Sequence, residues 1–481
     1  MKKEELFEVL GDIDPDSVAK ARAYERRKRP AWRAWVAVAA ALAVVVGAIW
    51  GVPAMRNIRG NGSGNYPSGL TTVLAAYPEP TAKTLSAQEF MEGDGHWNWW
   101  SSYRELVSAT EDLQSGMEAC NMALMARLLA SENENTVCSP LNAYIAFAML
   151  AEVSDGNTRQ QILDMLGAAD IETLRANVSA LWKSNYVDTP VLKSLLANSV
   201  WLNGGVKYEK DTLRSLAENY YASSFSGTPG SPEMDEALRT WTDSNTGGLL
   251  SDHTKDMSLD PDTVLAILST IYYKAMWTEE FSEKDTTREI FHGTSGDTAA
   301  DMMHRTDTMG VYRSDRFLSV GLGLNDSGAM YFFLPDEGTD VNALLSDPNV
   351  GNALRYDETD QNRSTSLVHL SVPKFKVTCK NDLIETVRAL GVTDALDPAR
   401  SDFTPLTEER DGLYLSKAEH AAVIEIDEHG VTGAAYTELS LSEGAALPDD
   451  EIDFVLDRPF MFIVTGRDGS ILFSGIVRNI D

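Results

Sequence analysis

Cysteine is scarce in this chain of 481 residues: Cys120, Cys138 and Cys379 are all it has. None sits in a C-x-x-C pair or at zinc-ligand spacing from a histidine, so neither a disulfide framework nor a structural zinc organises the fold. All three are expected to be free thiols, with Cys138 and Cys379 packed in apolar blocks as small hydrophobes. Catalytic signatures are missing as well. There is no G-x-S-x-G elbow, no H-E-x-x-H helix and no G-x-x-x-x-G-K-[ST] loop, and the seven histidines are scattered. The chain is therefore expected not to be an enzyme and to carry no metal and no cofactor. Positive charge is the third shortage, with 41 Lys and Arg against 72 Asp and Glu and a net charge of −31. Such a surface repels nucleic acid and anionic headgroups and keeps a monomer apart from its copies.

One apolar run reaches membrane length. Ala34 to Val52 carries no charge, and at ~1.5 Å per residue it would span roughly 28 Å as a helix. Lys20, Arg22, Arg26, Arg27, Lys28, Arg29 and Arg33 crowd its N-terminal side, while Arg56 and Arg59 follow it. The expectation is a cytoplasmic segment over 1–33, a single transmembrane helix over 34–54 and an extracytoplasmic remainder at the cell membrane. Secretion after cleavage at Ala54 is the alternative. Residues 55–111 are expected to be a flexible stalk and pre-domain segment, with Trp97, Trp99 and Trp100 packed on the neighbouring domain.

Beyond that point the pattern is helices first and strands later, an α+β order. Asp112 to Ala130 has helical spacing, and Ser139-Pro140 places an N-cap and a first-turn proline before an apolar helix through Leu150. Val191–Leu202 and Thr263–Tyr273 read as long buried strands, Leu367–Val377 as an alternating one, and Asn381–Leu390 as a short helix closed by Gly391. Ala421–Ile426, Phe460–Val464 and Ile471–Val477 complete the strands. One segment fits neither class. From Val431 to Leu441, Val431, Gly433, Ala435, Thr437, Leu439 and Leu441 alternate with mostly polar residues, a strand pattern flanked by loop-like sequence.

Several blocks now stand in one order: Asn135 to Leu141 with Ser139-Pro140, Ile271 to Trp277 with Phe281, Val372-Pro-Lys-Phe-Lys376, Leu390 to Ala395, Ser416 to Glu425 around His420, and Arg458-Pro-Phe-Met-Phe462. With them the chain resembles the serpin family of serine protease inhibitors from about Asp112 onward, in a membrane-anchored and bacterial form. The resemblance implies a domain over 112–481 with a large central mixed β-sheet, further sheets, eight or nine helices and an exposed reactive-centre loop over 428–457. It also implies a function, suicide-substrate inhibition of serine endopeptidases, with cysteine endopeptidases as a further target class: the cut loop inserts into the main sheet and traps the acyl-enzyme. A non-inhibitory binding or structural protein on the same fold is the alternative.

The resemblance assigns the hinge of that loop to Glu428, Gly430, Val431, Thr432, Gly433, Ala434 and Ala435. The scissile bond is expected within Gly444, Ala445, Ala446 and Leu447, and the absence of Lys or Arg from Val431 to Leu456 favours an elastase-like or subtilisin-like partner over a trypsin-like one. Ser139, Asn142, Ser269 and His420 match a polar cluster where the sheet opens. Asn142 and Ser269 look like an exchange of the usual serine and asparagine. Two departures stand out: Tyr436 is bulky where relatives keep a small residue, and Gly433 replaces an alanine.

Overall fold

The structure is a computed structural model that describes residues 70–480, apart from 79–84, 111, 356, 358, 409–411 and 432–449. At its centre lies the helix Pro140–Glu152. Ser139 caps it by accepting the Asn142 N–H, and Pro140 fills its first turn, where a missing N–H costs nothing. All but one of its residues are buried, so it sits behind the main sheet as a core element and not as an amphipathic surface helix.

Two large sheets surround it. The first runs β1 (Thr71–Val73), β5 (Ala222–Gly227), β4 (Leu192–Asn203), β6 (Leu265–Met276), β14 (Gly430–Val431), β13 (Glu419–Asp427) and β12 (Phe375–Asp382), with β3 (Val187–Asp188) added to β4. It is mixed, because β4 and β5 pair in parallel while β4 and β6 are antiparallel. The second runs β15 (Glu451–Val455), β11 (Arg363–Pro373), β8 (Gly296–Arg313), β9 (Phe317–Gly323), β10 (Ala329–Pro335), β16 (Phe460–Thr465), β17 (Ile471–Val477) and β2 (Thr136–Cys138), with β7 (Thr287–Gly293) on β8. The last two long strands, β16 and β17, are buried throughout, as continuous apolar runs require when both faces are covered. Eight α-helices of seven residues or more are found among the described residues. The α+β architecture with a large central mixed sheet is the one the sequence implied.

Local differences have local causes. The strand expected over Leu367–Val377 is two strands broken at Lys374, whose N–H turns to Asp301 O. Pro373 before it has no N–H to continue a ladder, and the chain crosses there from the second sheet to the first. Asn381 and Asp382 end β12 and the helix begins at Ile384, while Gly391 takes φ 97°, the left-handed C-terminal geometry expected of it.

The segment before the domain adds β1 to the edge of the main sheet against β5 and is helical after Ser86. A capping box joins Ser86 and Glu89 at the head of helix Ala87–Glu92. The longer helix Asp94–Ser108 follows, burying Tyr103 and Val107 in the main core. Phe90 is fully buried against Val191 and Met276. Trp99 and Trp100 pack on the domain as expected, whereas Trp97 stays 69% exposed.

The single-pass anchor is corrected. No helix among the described residues is long and apolar enough to cross a membrane. The longest, Leu113–Leu128, has 16 residues, short of the ~20 apolar residues a bilayer needs. The run 34–54 on which that expectation rested lies outside the described residues. The membrane localisation and the membrane as a partner are withdrawn.

Candidate functional site

Gly430 and Val431 form a two-residue strand between β6 and β13. Gly430 pairs with Met276 and Val431 with Ala275 on one side, and Asp427 and Ile426 face them on the other. Among the described residues no ladder joins β6 directly to β13, so this short wedge is what connects the two halves of the sheet. Only glycine fits at 430, because a Cβ there would stand 2.1 Å from Ala275 O. Val431 is 1% exposed and belongs to the main core.

The turn into the wedge is pinned at each residue. Asp427 Oδ1 accepts the N–H groups of His429 and Gly430 at 2.9 and 3.2 Å. Trp277 donates its indole N–H to Asp427 O at 2.9 Å and its backbone N–H to His429 O at 3.0 Å. Glu428, although buried, is paired: Lys374 Nζ donates to it at 2.9 Å and Thr286 Oγ1 at 2.8 Å. Burial alone would raise the Glu428 pKa, but these donors outweigh it and hold the carboxyl below its ordinary value. The Lys374 pKa rises in turn, chiefly through its hydrogen bond to Glu428.

The polar cluster lies farther along the same seam. His420 Nε2 accepts the Ser139 N–H at 2.9 Å, which leaves the proton of a neutral ring on Nδ1. Burial pushes the His420 pKa down to about 4. Ser139, Asn142 and His420 thus meet at the head of the central helix. Ser269 is not bonded to them. Its hydroxyl and Asn142 Oδ1 are both buried with no hydrogen-bond partner among the described residues, so no direct bond supports an exchange between the two. Two further amides belong here. Asn198 pairs with Ser269 across β4 and β6, and Asn381 with His420 across β12 and β13. Asn198 Oδ1 and Asn381 Nδ2 are likewise without a partner.

Of the expected hinge, Glu428, Gly430 and Val431 come together as described, whereas Thr432, Gly433, Ala434 and Ala435 lie outside the described residues. So do Gly444, Ala445, Ala446 and Leu447. Sequence reasoning missed Lys374, Trp277 and Asp427 as the residues that hold this turn, along with Asn198 and Asn381. Trp277 and Lys374 stand inside blocks that carried the resemblance, but their partners are set by tertiary register, which spacing does not reveal.

Residues 116–480 match the family model described as Serpin (serine protease inhibitor). The chain belongs to the serpin family. It is 27% identical to Serpin-ZX of Arabidopsis thaliana over 372 residues, covering 74% of this chain and 95% of that protein. In fold it is similar to the thermophilic serpin tengpin in its native state, with a TM-score of 0.67, 24% identity and coverage of 76% of this chain and 93% of that one. It is also similar to human thyroxine-binding globulin, solved in complex with thyroxine, at a TM-score of 0.66, 22% identity and coverage of 76% and 98%. Serpins are in general protease inhibitors and not catalytic enzymes. In this serpin the Gly430–Val431 wedge, Trp277 and the His420 cluster all lie within the matched residues.

Proposed function

We propose that this serpin is a suicide-substrate inhibitor of serine endopeptidases, and of cysteine endopeptidases by the same route, with no catalysis of its own. A protease attacks the loop within Gly444–Leu447, the new amine end departs, and the protease is left esterified to the loop's cut end. That end then enters the sheet as a strand between β6 and β13. Insertion races deacylation. If it wins, the protease is carried away while still acylated.

The observation that carries this reading is the wedge of Gly430 and Val431, which already seats the start of such a strand between β6 and β13. Continuing its register would set Gly433 beside Tyr273, Ala435 beside Ile271, Thr437 beside Ser269 and Leu439 beside Ile267. On the other side Thr437 would meet His420. The small and apolar residues would thereby face the core. Thr437 would bring a hydroxyl to a stretch of the seam where buried polar atoms have no partner among the described residues. Each new ladder bond is worth ~0.5–1.5 kcal/mol net, so an eleven-residue strand releases on the order of ten kcal/mol. The uncut state would be held by a barrier and not by equilibrium.

The test is a denaturing gel of the full chain with elastase-like, subtilisin-like and trypsin-like proteases. A stable band at the summed mass supports trapping, and sequencing the released peptide fixes the scissile bond.

One observation favours the second reading, a non-inhibitory binding protein. A cavity of about 820 Å³ lies between helices Leu113–Leu128 and Pro348–Leu354, β10 and the β16–β17 turn, lined by Met122, Tyr331, Leu354, Arg467 and Asn121 among others. Asn121 is 3% exposed and its Oδ1 has no partner among the described residues. Loop cleavage separates the two readings, since an inserting loop raises the melting temperature sharply and a non-inserting one leaves it unchanged.

A further inference from the structure

His429 sits between Glu428 and Gly430 with both ring nitrogens facing carboxylates. Nδ1 is 3.2 Å from Glu280 Oε2 and Nε2 is 3.4 Å from Glu283 Oε1. A neutral imidazole has one N–H and can donate to only one of them, while the imidazolium donates to both. Its backbone is fixed at the same time, the N–H on Asp427 Oδ1 and the carbonyl on Trp277 N–H. The ring therefore ties the turn at Asp427–Gly430 to the segment that follows β6, the strand the wedge pairs with.

We propose that His429 is a positioning residue for loop insertion: in its protonated form it clamps the turn onto Glu280 and Glu283, seats Gly430 and Val431 between β6 and β13, and makes trapping efficiency depend on proton concentration. This rests on the inhibitory reading above.

The groups around the ring agree on the sign. Glu280 and Glu283 approach from the segment after β6 and Asp427 from the end of β13. Of the cations around this turn, Lys374 is already paired with Glu428, and Lys274 on β6 interacts with Asp427. Burial works against the imidazolium, but Glu280, Asp427 and Glu283 outweigh it and raise the His429 pKa above its ordinary value. A charge favoured in this way stabilises the seated wedge fully below the free histidine value of about 6.5. The contribution fades as pH rises through the raised value. His429 is 24% exposed at its side chain and Glu283 is 73% exposed, so the effect is modest. About threefold in the population of the seated wedge is what such pairs support.

The experiment is hydrogen exchange at the Gly430 and Val431 amides of the uncut full chain, corrected for intrinsic rates. It is run about a unit below and about two units above the free histidine value. Stoichiometries of inhibition for the wild type, His429→Gln and Glu280→Gln are measured at the same two pH values. The expected result is about threefold less protection in the wild type at high pH, with His429→Gln at the lower level at both pH values and Glu280→Gln between. The stoichiometry of His429→Gln exceeds that of the wild type at low pH, and the gap closes at high pH. Wild-type protection that ignores pH, or His429→Gln protected like the wild type at low pH, overturns the clamp. If no protease forms a covalent complex, the inhibitory reading fails while the exchange arm still reads the clamp. Complexes with unchanged exchange sink the clamp alone.

Discussion

Replacing Val431 by arginine tests the wedge at its tightest point. Val431 is 1% exposed, flanked by Ala275 at 1% and Ile426 at 2%. A guanidinium held there unpaired costs several kcal/mol even after relaxation. The loss of a buried valine adds about 1.5–3 kcal/mol. The cheaper response is to leave residues 430–431 out of the sheet, so the variant should fold with its wedge unseated. If even about 3 kcal/mol of the penalty appears in the barrier to insertion, insertion slows roughly a hundredfold, and deacylation wins nearly every encounter. Val431→Arg is expected to be cut as a substrate, with the stoichiometry of inhibition rising toward the order of a hundred and the covalent band vanishing from the gel. Val431→Thr keeps the shape and should show a milder rise. Complex formation by Val431→Arg at wild-type stoichiometry would refute both the register and the reasoning built on it.

Gly430→Ala places a Cβ against the Ala275 backbone at 2.1 Å. It should unseat the wedge at about 1–3 kcal/mol, read as lost amide protection at 430–431 with little change in the uncut melting temperature. Lys374→Met leaves the Glu428 carboxylate, 7% exposed at its side chain, without its cation. After discounting for the partly exposed lysine, it should cost on the order of 1–2 kcal/mol in urea unfolding, and an unchanged midpoint would show the pair to be ornamental. His420 is depressed to about 4 by burial, so its neutral form stabilises the fold above about pH 6.5. That contribution is lost as pH falls toward 4, on the order of 3 kcal/mol. The difference in urea stability between wild type and His420→Gln should follow this window, and a difference that stays flat across it would remove His420 from the account.

Much of this arrangement was legible because it is written in local chemistry. Ser139-Pro140 announced the central helix, the apolar runs of β4 and β6 announced buried strands, and Gly391 announced a helix end. The alternation from Val431 to Leu441 reads as a strand, and its first residue is one. What spacing could not show depends on tertiary register. Lys374 and Glu428 are 54 positions apart and meet because β12 and β13 are neighbours. Asn198 and Asn381 become seam residues only through their cross-strand partners Ser269 and His420. The eighteen residues of β8 carry too many polar side chains to read as one strand, since much of that strand is exposed. The membrane expectation was drawn from the hydropathy of 34–54 and the basic residues before it, and no described helix supports it.

The most direct test of the inhibitory account is to nick the loop of the full chain with a protease while following both covalent capture and thermal stability. Trapping by strand insertion predicts an SDS-resistant band at the summed mass together with a large rise in the melting temperature of the cut protein. Clean cleavage between Glu443 and Pro448, with no such band and no rise, would mean a loop that is cut but never enters the sheet, and would contradict it.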